Sequence, residues 1–81
     1  MPDTREYPRL LKKGEVLRPI LDRVISPRLI IVSRDITINA AKQWFAGMDV
    51  SGNAVTRLAG AWEPADASEI IDFHLRFKGG L

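Results

Sequence analysis

Hydrophobic and polar side chains alternate without interruption near the carboxyl end of the chain. The apolar positions are Ile71, Phe73, Leu75 and Phe77, and the polar positions between them are Asp72, His74, Arg76 and Lys78. A period of two places the two sets on opposite faces of a strand. The pattern therefore predicts a half-buried strand that stops at Gly79-Gly80, where a thin, flexible tail over residues 79–81 begins.

Two segments in the middle of the chain also carry a clear pattern. Residues 28–33 are rich in β-branched side chains and bounded by turn residues, which predicts a short strand. After Asp35 or Thr37, either of which can cap a helix, apolar residues recur at helical spacing until a stop signal at Gly47. These apolar residues are Ile38, Ala41, Phe45 and Met48. Their spacing predicts one amphipathic helix.

The segment from residue 54 to residue 62 fits two structures. As a helix capped by Ser51 it presents an apolar stripe, but a glycine inside it, at Gly52 or Gly60, costs about 1 kcal/mol relative to alanine. As a strand, residues 55–58 lead into an Ala59-Gly60 turn and a short return strand at residues 61–62. Periodicity leaves both structures open. Residues 63–69 are rich in carboxylates and are predicted to form a solvated loop.

The amino-terminal part of the chain has little to bury. Residues 1–14 contain two prolines and several basic side chains, so we expect a flexible basic extension, with the folded domain over residues 15–78. Residues 15–24 fit either a helical stripe or a strand, and Pro19 is acceptable only at the start of a helix or at a strand position without an N–H partner.

Composition narrows the chemistry. A chain of 81 residues makes one small domain, and the absence of cysteine excludes disulfides and thiolate chemistry. The single histidine, His74, has no recognisable nucleophile beside it, so no catalytic residue, metal site or cofactor is predicted. Trp44 and Trp62 are expected to be core or half-buried anchors. No segment has the length of a membrane span, and a cytoplasmic protein is expected.

Charge is unevenly distributed along the chain. Residues 1–34 carry eight basic and four acidic side chains, a net charge of +4, while residues 35–81 carry four and six, a net charge of −2. A basic front of this size is compatible with nucleic acid or an acidic partner, but it is more typical of an ordinary solvated surface.

Three short matches occur in the chain order of one known family. Asp35 and Thr37-Ile38 are followed by Lys42 at the predicted helix, Leu58-Ala59-Gly60 ends a predicted strand, and residues 75–80 read Leu-Arg-Phe-Lys-Gly-Gly. Over residues 15–80 the chain therefore resembles ubiquitin and its β-grasp relatives, the protein modifiers and sulfur carriers. The resemblance implies an α+β fold in which a small mixed sheet packs on one main helix.

The resemblance also implies a function in which the chain is a substrate and not an enzyme. An E1-like activating enzyme would use ATP to adenylate the carboxylate of Gly80, after a processing protease has removed Leu81. The acyl group would then serve conjugation or sulfur transfer, and Gly79 and Gly80 would pass through the narrow channel of the enzyme. Arg76 and Lys78 would contact acidic groups beside that channel. No small-molecule substrate and no membrane partner are expected.

Ubiquitin's partner-binding surface supplies two further candidates. Arg57 and His74 stand at positions that match apolar residues of that surface in ubiquitin. Because the two residues here are polar, ubiquitin's own receptors are not expected to bind.

Two other classes of function stay open. In a winged helix-turn-helix, residues 38–46 and 51–60 would form the helix pair and the last strand a wing. The side chains facing DNA would be Ser51, Asn53, Thr56 and Arg57. The third class is a protein-interaction module that does not conjugate. Strand and turn at residues 54–62 favour β-grasp, whereas a continuous helix favours DNA binding.

Overall fold

The computed structural model describes residues 7–20 and 28–80, which form an α+β domain, as the sequence predicts. The elements in chain order are β1 (Arg9–Leu11), β2 (Val16–Pro19), β3 (Ile30–Val32), β4 (Ile36–Ile38), β5 (Trp44–Asp49), β6 (Ala54–Leu58), a 3₁₀ turn (Ala59–Ala61), β7 (Trp62–Pro64) and α1 (Ala67–Arg76). Among the described helices, none combines the length and apolar character that crossing a bilayer requires.

The strands form one five-stranded sheet and one two-stranded ribbon. The sheet has the order β6-β5-β3-β2-β7, and the ribbon pairs β1 with β4. Every pairing between described strands is antiparallel, so the prediction of a mixed sheet is wrong here. Parallel pairing of consecutive strands would need a long crossover connection, whereas β5 and β6 are joined by a tight turn.

Each face of the sheet packs against a different element. On the ribbon side, sheet residues such as Leu17, Val32 and Phe45 pack with Leu11 and Ile38 of the ribbon. The helix side carries a second cluster, with Val16, Leu29, Ile31, Ala65 and Phe73 as its buried members. Because both faces of β3 are covered, the short apolar run Ile30–Val32 is buried throughout, and the strand predicted there is confirmed.

The strand alternative for residues 54–62 is confirmed. β6, the 3₁₀ turn and β7 follow one another in the predicted order. Val55 packs against the ribbon-side core. The helix-turn-helix alternative is wrong for these residues, because the two ranges expected to be its helices contribute to β4, β5 and β6.

The helix predicted from Ile38 to Met48 is also wrong. Ile36–Ile38 is β4, and Trp44–Asp49 is β5, with a turn between them. Gln43 holds that turn, because its side chain accepts from the backbone N–H of Asn39 at 2.9 Å and donates to the carbonyl of Thr37 at 2.8 Å. Ile38 and Phe45 are buried from two different strands, so their helical spacing is a coincidence of strand and loop lengths.

The predicted terminal strand is replaced by the helix α1. Ile70, Phe73 and Phe77 recur at spacings of three and four, and they pack on the helix side of the sheet. Asp66 and Glu69 form a capping box, with each side chain accepting from the backbone N–H of the other residue. Residues 63–69 are therefore not a continuous loop, since they include the end of β7 and the first turn of α1.

Part of the predicted extension belongs to the folded domain. Arg9–Leu11 forms β1, Leu11 is buried, and Arg9 donates to the carbonyls of Ala59 and Trp62, each at 3.3 Å. Residues 1–6 lie outside the described part of the chain. Residues 21–27 do as well, so of the ambiguous segment 15–24 only residues 15–20 are described; they contain β2, and Pro19 stands at its end.

The cap of α1 predicts a specific pH dependence. The hydrogen bond from the Glu69 backbone, with help from Ser68, holds the pKa of Asp66 below its ordinary value of 3.8. A carboxyl group whose pKa is lower in the folded than in the unfolded state stabilises the fold at pH values above its unfolded-state pKa. This stabilisation is lost as the pH falls through the folded-state pKa.

We therefore expect Asp66→Asn, which keeps a capping side chain, to be less stable than the parent near pH 7. The difference should shrink as the pH falls below the ordinary pKa of 3.8, where the unfolded chain takes up the proton first, and it should be lost once the pH has passed the lowered pKa of the folded state. Urea unfolding midpoints measured over a pH series test this expectation. A stability difference of constant size at every pH would contradict it.

Candidate interaction surface

The most exposed apolar side chains on α1 are Ile71 and Leu75, with 62% and 82% of their surface open to solvent. They are four residues apart and lie roughly 160° around the helix from buried Phe73, so they share its outward side. We call this pair the α1 outer face. The period-two pattern predicted both as core residues, which is wrong because the segment is a helix.

Charged side chains surround the α1 outer face. Arg76 Nε lies 3.3 Å from Asp72 Oδ1, in an exposed pair one helical turn apart that contributes little stability. His74 and Lys78 are exposed. Together with Arg76 they make the carboxyl end of α1 basic, where the helix dipole favours positive charge.

The diglycine segment is only partly free. The Lys78 backbone N–H donates to the carbonyl of Val50 at 3.0 Å. A Cβ built on Gly79 would lie 2.7 Å from the Phe77 ring and 2.9 Å from the Cα of Gly52, whereas one on Gly80 would meet nothing within 4 Å. Gly79 therefore packs against the domain and Gly80 is open. Leu81 lies outside the described residues.

The residues of the DNA-binding alternative divide between two places. Ser51 and Asn53 stand in the β5–β6 turn, where their backbone N–H groups donate to Asp49 at 3.0 and 2.9 Å. The hydrogen bond from the Asn53 backbone contributes most to lowering the pKa of Asp49, and the bond from Ser51 adds to it. Thr56 and Arg57 lie on β6, and the guanidinium of Arg57 donates to the Thr56 carbonyl at 2.8 Å.

A shallow pocket of about 330 Å³ opens between α1 and the β5–β6 turn. Leu29 and Phe73 contribute apolar lining, and the charged lining consists of two cations and two carboxylates, Arg28, Arg76, Asp49 and Asp72. A second depression of about 250 Å³ shares Leu29 and Asp49 and includes Arg57. The predicted partner-binding residues are therefore divided, because Arg76 borders the first depression and Arg57 the second.

No group of three or more histidine, aspartate or glutamate side chains in residues 7–20 and 28–80 is placed to hold a metal ion.

Trp44 is a candidate contact residue that the sequence analysis missed. Its side chain is 59% exposed, whereas Trp62 is buried as predicted. Trp44 pairs with Leu58 of β6 and lies on the same side of β5 as Met48, which is the helix side of the sheet. The alternation of Trp44 with buried Phe45 is the strand signal that could have revealed it.

The fold and this surface define a small α+β domain with an apolar and basic helix on its exterior. No protein-family model matches the chain, and no significant match is found among curated proteins or solved structures.

Proposed function

We propose that the chain is a protein-interaction module that binds a partner protein through the α1 outer face. The observation that carries this proposal is the exposure of Ile71 and Leu75 on a helix whose opposite side is anchored by Phe73. Complete burial of an aliphatic side chain of this size contributes about 1.5–3 kcal/mol. Two such side chains one turn apart are thus a useful apolar contact.

The rigidity of α1 supports the same proposal. Its first turn is fixed by the capping box of Asp66 and Glu69, and Glu69 also lies 3.4 Å from the guanidinium of Arg18 on β2. Its far end is held by the hydrogen bond from Lys78 to Val50. A helix held at both ends loses little conformational freedom on binding, which favours affinity.

The charges around the face indicate the chemistry of the partner. His74, Arg76 and Lys78 lie at the carboxyl end of α1, beside Leu75. A matching surface is an apolar groove with carboxylates near the end that receives Leu75. Complementary charge of this kind mainly increases the rate of association and the specificity.

A double variant with Ile71→Ser and Leu75→Ser tests the proposal. A photo-crosslinking residue introduced at position 72 identifies the partner, and calorimetry with the purified partner then measures the affinity. We expect the double variant to bind at least about tenfold more weakly, because both apolar contacts are lost. Its unfolding midpoint should stay close to that of the parent, since both side chains are exposed.

The matched control is Leu10→Ser, which removes a side chain that is 51% exposed on the ribbon. It should leave the affinity unchanged. Equal affinity of the parent and the double variant would remove the α1 outer face from the function.

Activation of the carboxyl end is a second candidate, supported by the exposure of Gly80. In this proposal Leu81 is removed, an E1-like enzyme adenylates the new terminus, and conjugation or sulfur transfer follows. The contact of Gly79 with Gly52 makes the free tail short, and the β-grasp arrangement has less support because α1 follows the last strand.

Mass spectrometry of the Leu81-deleted chain after incubation with a cognate E1-like enzyme and ATP tests this candidate. An adenylate or thioester is the expected product. An unmodified chain, under conditions in which the enzyme loads its own carrier, would contradict it.

A further inference from the structure

We propose that β6 accepts an extended segment of a partner protein as an additional strand, with a carboxylate beside Arg57 and an apolar side chain beside Leu58. This surface is the edge of the sheet and not the α1 outer face, so the inference goes beyond the function proposed above.

The hydrogen-bond pattern shows which peptide groups of β6 point outward. Asp49 donates to the Asn53 carbonyl and Ala59 donates to the Gln43 carbonyl, so odd-numbered residues of this hairpin pair with each other. Ser33 donates to the carbonyl of Ala46, which confirms that this even-numbered residue of β5 faces β3. In an antiparallel ladder the two sets alternate. The peptide groups that face away from β5 are those of Ala54, Thr56 and Leu58.

The two edges of the sheet differ in how well they are protected. β7 has three residues and ends at Pro64, which has no N–H to offer. β6 has five residues without proline, and Ala54 and Thr56 are exposed. A regular edge with three outward peptide groups matches the way in which extended peptides add to sheets. Of the two edges that residues 7–20 and 28–80 form, β6 is therefore the one at which a strand can be added.

Arg57 protects this edge while it is unoccupied. Its guanidinium donates to the outward carbonyl of Thr56 at 2.8 Å, the acceptor that an added strand would use. An added strand would compete with the guanidinium for that carbonyl. A carboxylate opposite Arg57 gives it a charge-assisted replacement bond. The partner segment is therefore acidic at this position.

The other side of β6 determines the neighbouring residue of the segment. Leu58 lies directly opposite Trp44, and the register places both on the helix side of the sheet. Trp44 is 59% exposed there. An added strand continues the row from Trp44 through Leu58 with one more side chain, and an apolar one covers exposed apolar surface. Acidic and apolar residues must then be adjacent in the partner, since they face opposite sides.

A peptide titration of the full chain tests the inference. The probe is Thr-Val-Thr-Val-Asp-Val-Thr with blocked ends, and its matched control has lysine in place of aspartate. We expect saturable binding of the probe, with amide exchange at Thr56 and Leu58 slowed at least about tenfold. The lysine peptide should bind at least about fivefold more weakly.

Two variants separate the backbone and charge contributions. Thr56→Pro removes an outward N–H, while the inward bonds belong to Val55 and Arg57, so it should abolish binding. Arg57→Glu should reverse the preference between the two peptides, and it keeps the test decisive if the proline variant does not fold. The inference would be overturned if the peptide slowed amide exchange mainly in α1 or the ribbon, or if both peptides bound with equal affinity. It would also be overturned by no binding at about 1 mM peptide, or by two chains pairing through β6 in place of the peptide.

Discussion

Replacing Phe73 by alanine is expected to cost about 3–5 kcal/mol of the free energy of unfolding. Phe73 is 1% exposed and is the large aromatic member of the helix-side cluster, where it contacts the layer containing Val16, Leu29 and Ile31. Its ring also stacks on Phe77, with centroids 5.1 Å apart. The total free energy of unfolding of a domain of this length is roughly 4–12 kcal/mol, so this one substitution removes a large part of it.

Thermal unfolding followed by circular dichroism measures this effect, and a shift of more than about 10 °C is expected. Leu75→Ala is the matched control, because it shortens a side chain on the same helix that is 82% exposed. It should change the free energy of unfolding by less than about 0.5 kcal/mol. Similar shifts for the two variants would mean that α1 does not pack on the sheet through Phe73.

Replacing Gly52 by alanine is expected to destabilise the domain and to displace the diglycine segment. Gly52 has a φ of +88°, which an L side chain rarely adopts and which costs about 1–3 kcal/mol. A Cβ there would also lie 2.9 Å from the Cα of Gly79, so the backbone must move. We expect faster amide exchange at Lys78, whose hydrogen bond to Val50 holds the segment in place.

Gly14→Ala separates the two causes. Gly14 has a φ of +92°, but a Cβ there meets nothing within 4 Å, so only the conformational cost applies. The control should lose stability without any change in exchange at Lys78. If the Gly52 variant also leaves Lys78 protected, then the contact between the turn and the tail is not what positions Gly79.

The parts of the fold that could be predicted have one local signal each. Residues 28–33 combine β-branched side chains with flanking turn residues, and the strand there is observed as Ile30–Val32. At residues 54–62, Gly60 disfavours a continuous helix and lies in the 3₁₀ turn between β6 and β7, so the strand alternative is correct. The α+β class is correct, but its helix is Ala67–Arg76 and not the segment from Ile38 to Met48 that was predicted to be helical.

The carboxyl-terminal helix shows why pattern alone failed. An unbroken apolar and polar alternation from Ile71 to Phe77 fits a strand, but Ile70, Phe73 and Phe77 equally fit one side of a helix. The deciding signal is the spacing of Asp66 and Glu69, which forms the capping box. A strand with a period of two would place Ile71 and Leu75 in the core, whereas the helical period places them in solvent.

The candidate site was only partly within reach of the sequence. Arg76, Lys78 and His74 were predicted as exposed contact residues, and all three are exposed around the α1 outer face. Their apolar neighbours could not be assigned until the helix was known. The exposed edge of β6 depends on strand order, which is a long-range property that no local pattern determines.

The position of β2 has a consequence for how fast this chain folds. β2 lies between β3 and β7, and its pairing with β7 joins Leu17 to Pro64, residues far apart along the chain. The entropy of closing that long loop must be lost before the contacts form. The domain should therefore fold in milliseconds to seconds, as β-rich topologies do, although helical proteins of similar length fold in microseconds.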